Sequence, residues 1–207
     1  MYFKDNHFKK WEIALLLALC AACLTGMWAA GQQQDLSDKL IRLHVVAVSD
    51  SEREQSVKYE VRDEILKLLE PEFRGISDRE NAQTKILDLL PAIESAALKV
   101  ASANGGNRGA VVTLDKEAYP TRYYDGFALP AGEYLSLRVI LGEGKGQNWW
   151  CVVFPPLCAA AAEGIANCEA ASLLEGDDIA FISEDDGYEI RFKVLEWWGK
   201  LKQFAGE

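Results

Sequence analysis

The residues of this chain that could do chemistry are few. His44 is the only histidine beyond the amino-terminal segment, and Cys151, Cys158 and Cys168 are the thiols in the same part of the chain. A Cys–His nucleophile would need His44 beside Cys151 or Cys158, with cationic neighbours holding the thiol as thiolate. A metal would have to be held by His44 and these thiols, which have no C-x-x-C spacing here, so no metal site is expected. Asp50 and Glu133 could form an acid–base pair, but capping and turn roles already account for both. The chain contains neither G-x-S-x-G nor H-E-x-x-H. Gly142-Glu143-Gly144-Lys145-Gly146 is glycine-rich, yet it lacks the strand-to-helix context and the Lys-Ser/Thr pair of a phosphate loop. These residues predict a protein that is not an enzyme and carries no cofactor.

A different kind of site is suggested by Trp149-Trp150-Cys151-Val152-Val153-Phe154-Pro155-Pro156-Leu157-Cys158. In a strand the adjacent tryptophans point to opposite faces. One then packs inside, and the other meets a partner or a covering segment. The plain alternative is a buried strand that ends at a proline turn.

These residues must be positioned by an exported domain. Lys4, Lys9 and Lys10 precede an uncharged apolar run from Ile13 to Ala30. Its length lies between a signal-peptide core and a short transmembrane helix, and the flanking lysines favour a cytoplasmic amino end. Residues 1–30 are therefore a signal peptide or membrane anchor, and Gly31 onward is extracytoplasmic. Export permits a disulfide, with Cys151 and Cys158 the closest pair; reduced thiols behaving as small apolar residues are the alternative. The net charge of −10, with 32 acidic against 22 basic residues, argues against nucleic acid and against electrostatic binding to anionic lipid.

Residues 31–37 read as a polar linker. Leu40 to Val48 is a strand in which Arg42 and His44 alternate with apolar residues. Two overlapping capping boxes follow, Ser49 with Glu52 and Ser51 with Glu54. The helix they start carries Val57, Val61, Ile65 and Leu68 on one side, has Glu54–Lys58 and Asp63–Lys67 pairs on the other, and stops at Pro71. A further capping box at Ser77 begins a helical pattern that Pro91 kinks or divides. Ala110–Leu114 and Tyr134–Leu141 are strands, and the glycine loop joins the second to the Trp149-Trp150 strand as a hairpin. Residues 159–189 form an acidic, Ala/Gly-rich arm expected to be weakly ordered, and 190–207 an amphipathic helix. Helices followed by strands predict a single α+β domain over 38–158, with two to three helices on one face of a mainly antiparallel sheet.

Leu40-Ile41-Arg42-Leu43-His44-Val45-Val46-Ala47-Val48-Ser49-Asp50-Ser51, Pro120-Thr121-Arg122 with Leu129-Pro130-Ala131-Gly132-Glu133-Tyr134, and Gly146 through Cys158 together resemble the stage II sporulation protein R family. Val57 to Asp63 and Arg191 to Glu196 resemble further segments of it. Val48 stands where the family pattern has Asn. The resemblance implies a signal made in the forespore and exported toward the space between the two membranes. There it would trigger a membrane-embedded aspartic protease that removes the pro-sequence of the sporulation sigma factor E. The alternative function is a wall-associated enzyme or glycan binder that stacks sugar on a tryptophan. The expected contact residues are Trp149, Trp150, Ser49 and Asp50, with Arg42, His44 and Arg122 as further candidates.

Overall fold

The computed structural model describes residues 10–105, 109–124 and 127–157, together with Leu174, Asp178 and Ile182. Helix α1 spans Lys10–Ser37 and is followed by strand β1, Ile41–Val46. Helix α2, Glu52–Leu69, passes into a 3-10 turn at Glu70–Phe73, and α3 spans Arg79–Ala103. Strands β2 (Ala110–Tyr119), β3 (Arg122–Tyr124), β4 (Phe127–Leu129), β5 (Gly132–Leu141) and β6 (Asn148–Phe154) follow. The domain is α+β, with α2 and α3 packed on a four-stranded sheet of order β2-β5-β1-β6. The sheet is mainly antiparallel; β1 and β5 form its parallel pair.

The helices form where local chemistry favours them. The Ser51 side chain accepts a hydrogen bond from the Glu54 amide and caps α2, so the second of the overlapping boxes is used. Val57, Val61, Ile65 and Leu69 recur at helical spacing and bury one stripe. Lys58 does not make the expected solvent-side pair with Glu54. It is buried, and its Nζ donates to Gln55 Oε1 and to the Gln147 carbonyl. Asp78 caps α3 by accepting from the Asn81 amide, and this hydrogen bond lowers the Asp78 pKa. Pro91 lies within α3, which continues through it as one helix to Ala103.

Three expectations are corrected. Residues 31–37 are not a linker but the last turns of α1. Leu36 there is fully buried against Leu40 and Tyr134, so tertiary packing overrides the polar glutamine run. Ala110–Leu114 is only the first half of a longer β2. The loop after β5 does not close a hairpin, because β1 lies between β5 and β6. The loop instead steps over the end of β1: Gly146 N donates to Ala47 O at 2.9 Å and Lys145 N to Val48 O at 3.3 Å. Its glycines follow from this path. Gly142 and Gly144 have φ of 56° and 61°, and a Cβ on Gly146 would collide with the Ser49 carbonyl.

The sheet is covered on both faces. Ile41, Leu43 and Val45 of β1 meet α2 and α3 together with Leu137, Val139, Cys151 and Val153. The opposite face meets the end of α1, the small β3–β4 sheet, and Leu174 and Ile182 of the acidic arm. Asp178 of that arm is held by Lys39 at 2.6 Å. The described residues of the arm are therefore packed into the core. The predicted helix 190–207 lies outside the described residues.

Candidate functional site

The β1–β6 register places Leu43 opposite Cys151 and His44 opposite Trp150. Side chains alternate along each strand, so His44 and the Cys151 thiol face opposite sides of the sheet. Cys151 packs under the helices and is disulfide-bonded, while Cys20 and Cys23 are free. The expected partner Cys158 lies outside the described residues. Asp50 and Glu133 are also not brought together: they sit at opposite ends of the parallel β1–β5 pair. Asp50 accepts a hydrogen bond from Gln147 N at 2.7 Å, and Glu133 pairs with Lys116 at 3.1 Å.

Trp149 and Trp150 do face opposite sides, and both are half-buried. Trp149 meets Tyr59 edge-on at 5.4 Å, and the Arg62 guanidinium lies 4.6 Å from its ring centre. Arg62 is paired with Asp63 at 2.6 Å. Trp150 stacks on His44 at 5.3 Å, and the Arg122 guanidinium lies 3.5 Å from its ring centre. Each indole is thus already covered by an arginine.

The Trp150 face holds a polar cluster unusual for a strand interior. Arg42 and His44, the polar residues that alternate with apolar ones in β1, are buried: Arg42 is 0% exposed and His44 4%. His44 Nδ1 lies 2.9 Å from Glu117 Oε1, and its Nε2 lies 2.9 Å from Asn148 Oδ1. Ser136 donates to Glu117 Oε2 at 2.8 Å, and the Tyr119 hydroxyl shares a 2.7 Å hydrogen bond with Ser136. Arg42 Nε donates to the Cys151 carbonyl at 3.0 Å, and its Nη2 donates to the Tyr124 hydroxyl at 2.8 Å. The same guanidinium lies over the rings of Tyr119 and Tyr134. Burial pushes all three phenols upward, Tyr134 to about 12, and Arg42 partly counters this.

Ser49 and Asp50 belong to a separate end of the molecule. Ser49 does not cap α2; its hydroxyl lies 3.4 Å from that of Ser51. Gln55 Nε2 donates to Ser49 O, and buried Lys58 reaches the Gln147 carbonyl beside it. Burial lowers the Lys58 pKa, Arg62 lowers it further, and Asp50 partly offsets both. This network ties the turn to the crossover loop.

Sequence reasoning missed Glu117, Tyr119, Tyr124, Tyr134, Ser136 and Asn148. The usable signal was strand alternation: Glu117 with Tyr119, and Tyr134 with Ser136, are each two apart and share a face. Ending β2 at Leu114 hid the first pair. Among the described residues no group of three or more His, Cys, Asp or Glu is arranged to hold a metal.

The sequence matches known proteins in one consistent way. The family model for stage II sporulation protein R matches residues 37–163. The chain is 32% identical over 199 residues to the stage II sporulation protein R of Bacillus subtilis (strain 168), covering 86% of this chain and 88% of that protein. No solved structure matches. The matched span contains β1, the arginine–tyrosine cluster and the paired tryptophans, and the chain belongs to the stage II sporulation protein R family.

Proposed function

We propose that this protein is an exported sporulation signal that stays tethered to the membrane and activates the membrane-embedded aspartic protease that processes pro-sigma-E. The family supplies the sporulation role. The observation that carries the rest is α1. It is long and apolar enough to cross a membrane, and Leu15, Leu16, Leu17, Leu19 and Leu24 are exposed along it. Without a break it then enters the domain core through Ala29 and Leu36. Cleavage near Ala30 would cut a helix between two residues that the core uses. A retained α1 holds the domain against the membrane surface, within reach of a membrane-embedded partner.

The glycan-binding alternative needs an open indole face. Arg62 on Trp149 and Arg122 with His44 on Trp150 leave no observation that favours it.

The test is deletion in the parent organism, complemented by a carboxyl-terminally tagged copy. Pro-sigma-E should accumulate unprocessed in the deletion strain and be processed in the complemented one. The tagged protein should stay in the membrane fraction with its first thirty residues intact. Normal processing in the deletion strain refutes the signalling role. A mature protein that begins at Gly31 refutes tethering alone.

A further inference from the structure

Arg42 and Arg122 converge on Tyr124, and among the described residues neither has a counter-ion. Arg42 donates to the Tyr124 hydroxyl, which lies 3.3 Å from the backbone carbonyl of Trp150, the residue under Arg122. Arg42 is fully buried and its Nη1 makes no hydrogen bond; Arg122 is half-buried, and its Nε is likewise buried and unbonded. Among the described residues no carboxylate forms an ion pair with either guanidinium. Glu117 on this face is engaged by His44, Ser136 and Arg138, and Asp178 by Lys39. The chain does not lack acids, since 32 acidic residues outnumber 22 basic ones. Aromatic faces stabilise a cation in part, but a guanidinium is a five-donor fork, and burying it without an anion is unfavourable. Burial lowers the Arg122 pKa, Tyr124 offsets part of this, and the nearby Arg42 lowers it further. Arg62 shows the contrast: it too covers a tryptophan, yet Asp63 neutralises it.

We propose that Arg122, backed by Arg42, receives a carboxylate on an acidic segment of a protein partner in the extracytoplasmic space. The proposal rests on the signalling reading only for the identity of that partner. A planar fork on an aromatic ring suits the bidentate geometry of a carboxylate. A lipid phosphate is the weaker fit, because an anionic bilayer repels a chain of net charge −10 as a whole, whereas one acidic side chain does not.

The experiment uses the full chain in phosphatidylcholine nanodiscs. The side-chain Nε–H resonances of Arg42, Arg62 and Arg122 are followed by NMR during titration with N-acetyl-tetraglutamate amide. Saturable shifts of Arg122 and Arg42, with Arg62 unmoved, are expected. Arg122→Gln should weaken binding about tenfold or more, while Arg62→Gln should leave it unchanged. Arg122→Lys, which keeps the charge but loses the fork, should bind with intermediate strength and covers the case in which the glutamine variant fails to fold. No saturable shift overturns the proposal, as do equal shifts with inorganic phosphate or with phosphatidylglycerol discs. Sigma-E processing separates the two readings. Processing lost in a folded Arg122→Gln strain, with no peptide shift on the natural chain, overturns the carboxylate site and leaves the signalling role standing. Saturable binding with normal processing in the variant supports the site and overturns its use in signalling.

Discussion

Trp149 and Trp150 are neighbours in the chain, yet they belong to two faces built on different physics. Beneath Trp149 the sheet meets α2 and α3 through aliphatic residues such as Leu43, Val61, Ile65 and Val139. Of the unbonded buried atoms on that side, Trp149 Nε1 is neutral, and Arg79 Nε at the start of α3 belongs to a guanidinium that Asp38 pairs at 3.1 Å. Beneath Trp150 the sheet carries Arg42, His44, Glu117, Ser136, Tyr119 and Tyr134, with Tyr124 of β3 against them, and the unbonded atoms Arg42 Nη1 and Arg122 Nε belong to cations that no described carboxylate pairs. Apolar burial stabilises in proportion to area, at about 25 cal/mol per Å². Buried ionic groups contribute little net stability and are often replaceable by apolar residues. The helical face therefore holds the fold, and the polar face is the one whose composition stability does not explain.

The comparison breaks most visibly under truncation. Ile65→Ala, on the helical face, should cost about 3 kcal/mol through lost contacts and a residual cavity. Arg42→Met should cost about 1 kcal/mol or less, because removing an uncompensated buried charge offsets the two lost hydrogen bonds. Chemical denaturation of both variants in detergent measures the difference. Equal losses would mean that the polar face is also structural.

Alkali tests the same contrast from the other side. Burial raises the pKa of Tyr119, Tyr124 and Tyr134, the last to about 12. A phenol raised in the folded state contributes stability fully below its unfolded value near pH 10, and that stability is lost as pH rises toward the folded value. The domain should therefore unfold above pH ~10, with phenolate absorbance from these residues appearing together with loss of structure. Phenolate formation by all three near pH ~10 with the fold intact would show that the face is open to water.

The smallest effect concerns the turn that leads into the helical face. Ser51→Ala removes the α2 cap and should cost about 1 kcal/mol. Ser49→Ala loses contacts of 3.4 and 3.5 Å to Ser51 and should cost clearly less in thermal denaturation. The reverse order would move the cap to Ser49.

Much of this was legible in the chain because it depends on local chemistry. A helix long and apolar enough to cross a membrane follows from the uncharged run. The α2 start follows from the Ser51 side chain, which accepts from the amide three residues on, whereas α3 is capped by Asp78, one residue after the expected Ser77. The opposite placement of the tryptophans follows from strand geometry alone. The burial of Arg42 and His44 follows from none of these. It depends on β1 inserting between β5 and β6, and on α1, β3 and β4 covering the second face. Local alternation marks a residue as facing away from the helices but does not say whether anything lies there. Lys58 shows the same limit, since helical spacing offered it to Glu54 and the crossover loop drew it inward. The sequence by itself determined the main helices and strands, the α2 cap and the polarity of the strand faces, but not the full extent of α1 and β2. Only the tertiary structure decided which faces meet, because strand order and coverage arise from long-range pairing that no local pattern encodes.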